Sequence, residues 1–286
     1  MKKTITLVTL FLSIFYSSSQ ELENALLWEI SGNGLEKSSY LFGTIHVTCN
    51  ATLSEHVKDA LNKTSQLALE IDMDDPGMQG KIMLNMRMKE NKTLKNFVSE
   101  EDFVAIDSLF IKKVGMSVKM LQSMKPSLLS AMFLPSLLDC PMQSIEGELI
   151  KVAKEQKEDI KGLETVASQM EIFGLIPYED QVEELLKSVK DNLLRDKENL
   201  VKMLEIYDSE NITKMLTLME DDKENNLGKY TDIMLDKRNK NWIPVIIAYA
   251  KEQPTFFGVG AGHLAGENGV IQLLRKEGYT LKPIQK

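Results

Sequence analysis

Of the three histidines in the 286-residue chain, two stand in the same setting. Tyr40-Leu41-Phe42-Gly43-Thr44-Ile45-His46-Val47 and Thr255-Phe256-Phe257-Gly258-Val259-Gly260-Ala261-Gly262-His263-Leu264 both run from aromatic and β-branched residues into Gly-x-x-His. Imidazole is the commonest protein metal ligand and the side chain that changes charge nearest neutral pH, so a matched pair points to a metal site or to acid–base chemistry. A strand ending at glycine can turn with positive φ or let another segment approach closely, and it delivers the next polar side chain at its C-terminal rim. In open α/β sheets that rim is where ligands bind. The opposing reading, rings that merely cap a turn or bond within the core, suits one isolated histidine better than two in matched contexts.

Other groups can join the pair. Gln66-Leu67-Ala68-Leu69-Glu70-Ile71-Asp72 reads as a buried strand ending in carboxylates. Before it, Thr52-Leu53-Ser54-Glu55 has capping-box spacing and opens a helix to about Lys63. A helix between two apolar strands predicts a parallel βαβ unit, which carries Glu70 to the rim of His46. A carboxylate beside two imidazoles completes a divalent-metal set or serves as general base, while the plain alternative is a strand-end acid facing water. Glu164, in the short link Lys161-Gly162-Leu163-Glu164-Thr165, is a further polar candidate. Arg238 and Asn239 precede an amphipathic helix from Ile243 to Glu252. They offer a guanidinium and an amide to developing negative charge, or are simply solvated helix-start residues. His56 falls on the helix after Thr52 with no glycine or strand beside it, and reads as a surface histidine. The glycines from Gly258 to Gly262 do not make a dinucleotide fingerprint, because no second strand and acidic ribose ligand can follow before the chain ends.

The elements that must position these residues lie at the two ends of the chain. Ala25 to Ile30 reads as a strand, Gly32-Asn33-Gly34 as a turn and Ser39 to Val47 as the hairpin partner. From Pro76 to about Leu235 apolar residues recur at helical spacing, as in Phe103–Leu109, Ser127–Leu138, Glu146–Ala153 and Val182–Leu204. Met83, Met86, Met88, Met116, Met120 and Met124 lie in this stretch and read as core filling, with a pliable peptide groove or soft-metal surface as the alternative. Thr255–Leu264, a helix from Gly269 to Lys276 and Tyr279–Ile284 restore the α/β pattern. The fold class expected is α/β (α+β): a small mixed sheet built from the N- and C-terminal segments and split by a long helical insertion at about 76–235.

Residues 1–20 run from Met1-Lys2-Lys3 through an apolar stretch to Ser17-Ser18-Ser19-Gln20, the order of a secretory signal peptide, with an uncleaved anchor as the alternative. The domain expected is 21–286, exported to a periplasm, cell surface or medium, with no stable membrane insertion once the signal is removed. The formal net charge is −8, and without Lys2 and Lys3 it is −10, a surface that repels nucleic acid and anionic lipid. Cys49 and Cys140 are the only cysteines. They form one disulfide or remain two buried thiols, and Cys49, three residues after His46, has a further reading as a metal neighbour.

Taken together, these residues resemble the TraB/GumN family, to which the Tiki metalloproteases are related. The resemblance rests on Leu41–Val47, Leu67–Asp72, Gly162-Leu163-Glu164-Thr165 with Gln169, Arg238-Asn239, and Val259–Leu264 with Gly266, Gly269 and Leu273-Leu274. For the Tiki branch it implies metal-dependent peptide hydrolysis with manganese or cobalt, which with the segment at 1–20 makes an exported metal-dependent hydrolase the expectation; zinc also suits the donor types. Carried over, His46 and His263 bind metal, Glu70 binds it or acts as base, and Glu164, Arg238 and Asn239 line the site of a peptide or protein substrate. Glu146 stands where the resemblance leads one to expect aspartate. A non-catalytic metal-, haem- or peptide-binding protein of the cell envelope is the alternative reading.

Overall fold

The computed structural model describes residues 22–220 and 228–286. The segment read as a signal peptide lies outside them. The expected hairpin forms: β1 (Leu27–Ser31) runs antiparallel to β2 (Ser39–Thr44), with Leu27 opposite Phe42. Its turn works because Gly32, Asn33 and Gly34 all take positive φ, which glycine and asparagine tolerate best.

After β2 come α1 (Glu55–Leu61) and β3 (Gln66–Ile71). The capping box does not form: Ser54 is the N-cap, its hydroxyl lies 3.2 Å from the His56 ring, and Glu55 pairs with Lys58. Between β3 and the late strands lie α2 (Met78–Asn85), α3 (Glu100–Lys113), α4 (Pro126–Ala131), α5 (Ile145–Gln156), β4 (Asp159–Glu164), α6 (Val166–Leu175), α7 (Tyr178–Lys190), α8 (Leu194–Asp208) and α9 (Ile212–Glu220). The chain closes with α10 (Lys237–Glu252), β5 (Thr255–Gly260), α11 (Val270–Lys276) and β6 (Thr280–Ile284). The run read as one helical stretch from Val182 to Leu204 is broken where Asn192 and Leu193 take positive φ, separating α7 from α8.

The six strands lie in the order β4-β3-β5-β2-β1-β6. β2, β5, β3 and β4 run parallel to one another, and β1 is antiparallel to both β2 and β6. β2 and β3 are parallel, as the βαβ pattern requires, but β5 inserts between them. The two Gly-x-x-His strands are therefore direct neighbours, with Thr44 opposite Gly260. β4 was legible only as a link because it is an edge strand, its Asp159 exposed and its register on β3 setting Ile71 opposite Glu164.

Two apolar cores meet at the first histidine. Ile45 belongs to the core around the sheet, which also holds Trp28, Phe256, Phe257 and Trp242. Val47 belongs to a second core inside the helical stretch, with Phe103, Phe110, Phe133 and Leu185. His46 stands on the seam. The methionines depart from the core-filling expectation: of the six named above only Met88 is buried, and Met83 and Met120 are 63% and 80% exposed. Among the described residues no helix is long and apolar enough to cross a membrane.

Candidate functional site

The glycines of the two motifs serve close approach, since neither Gly43 nor Gly260 takes positive φ. A Cβ on Gly43 would lie 2.7 Å from the Leu264 side chain and 3.2 Å from the Ala261 Cα. The backbone after β5 can thus cross close over β2, and the buried Tyr207 hydroxyl of α8 donates to the Gly43 carbonyl at 2.9 Å. A Cβ on Gly260 would lie 3.2 Å from Glu70 Oε1, and the Gly260 N–H donates to that same oxygen at 2.8 Å. The second motif thus holds the β3 carboxylate directly.

Around Glu70 five side chains form one buried network. Arg238, in the first turn of α10, donates from its Nη2 nitrogen to Glu70 Oε2 at 2.6 Å and Glu164 Oε1 at 2.5 Å, and from Nε to Glu164 Oε1 at 3.0 Å. Its remaining N–H groups go to the Met234 carbonyl at 3.2 Å and His263 Nε2 at 3.0 Å. Gln169 of α6 bridges Glu70 Oε2 and Glu164 Oε1, donating at 3.1 and 3.3 Å. The guanidinium carbon stands 4.6 Å from the Trp242 ring centroid, one helical turn further along α10, and Trp242 packs on His263 with centroids 4.5 Å apart.

The tautomer of His263 follows from its partners. Arginine can only donate, so Nε2 accepts; Nδ1 then carries the proton and donates to Asn239 Oδ1 at 2.6 Å. Asn239 Nδ2 is spent on the His263 and Asn268 carbonyls, at 3.4 and 2.9 Å. Burial, with the Arg238 charge, holds the ring neutral and drives its pKa down to about 3 against the pull of Glu70. For Glu70 burial acts to raise the carboxyl, and the Arg238 guanidinium, the His46 charge and the Gly260 N–H overcome that with His263 neutral, holding it below the usual carboxylate range. Glu70 is ionised and His263 neutral because the ring nitrogen facing Arg238 has no room for a proton. Glu164 goes the other way: burial raises its carboxyl despite Arg238.

His46 stands apart from this network. Its side chain is 67% exposed, and Nδ1 lies 2.7 Å from Oε1 of the buried Glu146, a contact too poorly aligned to count as a straight hydrogen bond. Ser144 donates to the other Glu146 oxygen at 2.6 Å. The loop after β2 is zipped to the segment before α5: Thr48 and Gln143 exchange backbone hydrogen bonds at 3.0 and 2.9 Å, and the Gln143 side chain accepts from the Ala51 N–H. Cys49 and Cys140 close a disulfide across the same pair of segments. These links deliver Glu146 to His46. The carboxylate lifts the imidazole to about 9, against partial desolvation, and the imidazole in turn holds Glu146 below its ordinary value despite burial.

The structure therefore brings His263, Glu70, Glu164, Arg238 and Asn239 into one cluster and sets His46 beside it, near enough for its charge to act on Glu70 and His263. Sequence reasoning gave Glu146 no role. A glutamate in the first turn of a helix looks like an ordinary complement to the helix dipole, and its partner comes from a segment one hundred positions away. Among the described residues no group of three or more His, Cys, Asp or Glu is arranged to hold a metal ion. The donor atoms explain this: both His263 nitrogens and both Glu70 oxygens are engaged, and a guanidinium occupies the position that a bound cation would need. In this arrangement the residues do not fit a divalent ion.

The TraB/PrgY/gumN family model matches residues 26–283, nearly the whole chain. No curated protein and no solved structure matches it.

Proposed function

The chain belongs to the TraB/PrgY/gumN family, and from that premise and the geometry of the rim we propose that it is a hydrolase of peptide or protein substrates in which His46 handles the proton. One observation carries the reading: an exposed imidazole has one nitrogen turned to a buried carboxylate, and its Nε2 has no protein partner among the described residues. In that arrangement Nε2 takes a proton from an attacking water, Glu146 stabilises the imidazolium, and the same proton then passes to the leaving amine. Arg238 and Asn239 act as positioning residues, since their N–H groups are committed to Glu70, Glu164, His263 and neighbouring carbonyls.

Cleavage of a peptide library by wild type and His46→Ala, each with and without a chelator or added manganese, tests the reading. His46→Ala is expected to be slower by about 100-fold or more, and wild-type turnover is expected to survive the chelator. Equal rates in the two proteins would overturn it. Activity restored only by manganese, cobalt or zinc would replace it with the metal-dependent reaction implied by the resemblance. A Soret band in the purified protein, with no cleavage, would replace it with haem binding.

We also propose export. The signal-like residues 1–20 and the Cys49–Cys140 disulfide support it, because such bonds persist in oxidising compartments. Fractionation of the producing cell with N-terminal sequencing is expected to find the chain outside the cytoplasm and shortened by about 20 residues. A cytoplasmic chain still starting at Met1 would overturn this.

A further inference from the structure

The two edges of the sheet are finished differently. β6 is closed to pairing: Pro283 stands inside it and offers no N–H, and Arg275 Nη2 donates to the Leu281 carbonyl at 3.1 Å. β4 contains no proline. It pairs with β3 on one side, and among the described residues the one further hydrogen bond to its backbone comes from the Tyr249 hydroxyl, which donates to the Gly162 carbonyl at 3.2 Å. Successive residues of a strand turn their N–H and C=O groups to opposite sides, so about half of the β4 backbone groups face away from β3.

This open edge leads to the site. Because β4, β3, β5 and β2 are parallel, it runs out at Glu164 onto the rim that carries Glu70, His263 and His46. From β4 to β2 there are three strand spacings, about 14 Å, which about four extended residues cross. Charge at the other end of β4 favours a basic occupant. Glu158, just before the strand, has a buried Oε2 with no hydrogen-bond partner among the described residues, while Asp159 is exposed and Lys161 lies 4.0 Å from it. A second copy of the chain fits poorly: two β4 strands paired antiparallel about their centre would set Asp159 opposite Glu164, acid against acid.

We infer that the outer edge of β4 is a docking strand for an extended peptide with basic residues. The peptide adds to the sheet main chain to main chain, sets a lysine or arginine beside Glu158 and Asp159, and continues across the rim to His46. That this peptide is the substrate rests on the hydrolase reading; the docking itself is read by binding alone.

The test uses the full chain carrying His46→Ala and a fluorescein-labelled peptide of alternating threonine and valine with a lysine at each end, about ten residues long, enough to pair with β4 and cross the rim. Two further forms of the peptide carry N-methyl groups on alternate residues, one on each set. Hydrogen exchange is expected to slow in Asp159–Glu164 when the parent peptide binds. One N-methylated form is expected to bind at least about tenfold more weakly than the other, because its blocked amides are those turned to β4. Glutamate in place of the terminal lysines is expected to weaken binding several-fold. Equal affinity of the two N-methylated forms, protection elsewhere on the chain, no binding of the parent peptide, or dimerisation through β4 would overturn the inference. Binding at β4 by a wild type that cleaves no peptide would support the docking and overturn the hydrolase reading.

Discussion

Arg238→Ala, measured by urea unfolding in metal-free buffer at neutral pH, is expected to lose about 3–5 kcal/mol of stability. The loss comes less from the missing contacts than from what remains: Glu70 and Glu164, both buried, converge with no cation between them. Glu70 keeps the Gly260 N–H and Gln169, whereas among the described residues Glu164 keeps only Gln169. Glu164 is therefore the group that takes up a proton, and burial already raises its carboxyl in the intact network. A carboxyl whose folded-state pKa lies above its unfolded value binds more protons when folded, so its penalty is relieved as pH falls through that raised pKa. The deficit of Arg238→Ala is accordingly expected to shrink on mild acidification, and Glu164→Gln in the same background to recover part of it at neutral pH. A loss below about 1 kcal/mol, the range of exposed ion pairs, would show that the network is far wetter than the structure has it.

How much of this arrangement the sequence reveals depends on the range of the interactions that make it. The Gly-x-x-His pair is local: an apolar run, a glycine where a Cβ would collide, and a polar residue delivered past the rim. His46 and His263 were therefore legible, as was Glu70 at the end of a buried strand. Their matched endings led one to expect both at one sheet rim, but not the strand order, in which β5 enters the sheet between β2 and β3. β4 escaped the pattern since an edge strand carrying Asp159 and Lys161 lacks the apolar run of β3. Glu146 was out of reach for a different reason. Its position against His46 is fixed by the Thr48–Gln143 bridge and the disulfide, and neither leaves a periodic trace in the chain. The metal reading rested on residue types alone. Residue types suggested a ligand set, but they could not reveal that Arg238, counted as a lining group, stands inside that set.

Glu146→Gln is expected to bring the His46 titration down by two pH units or more, from about 9 toward the ordinary histidine value of about 6.5. Glutamine has nearly the same shape, so the change removes chiefly the negative charge. With only three histidines in the chain, ring resonances followed by NMR from pH 5 to 10 can be assigned by the His46→Ala spectrum. His263 is expected to stay neutral throughout that range, its ring held down by burial and by Arg238. The sign of the linked stability follows from the raised value. The His46–Glu146 contact contributes fully below the unfolded histidine pKa and fades as pH rises through about 9, so wild type and Glu146→Gln are expected to converge in stability in alkali. In turnover the charge has two opposed effects. Glu146 makes His46 a stronger base yet leaves it mostly protonated at neutral pH, so the wild-type rate is expected to climb with pH and level off near 9. Without the charge the plateau arrives earlier and lies lower, by about 100-fold, because nothing stabilises the imidazolium as it forms. A profile whose inflection stays near 9 in Glu146→Gln would remove His46 from the proton-handling role, because Glu146 is the group that raises its ring most and the inflection would then belong to another residue.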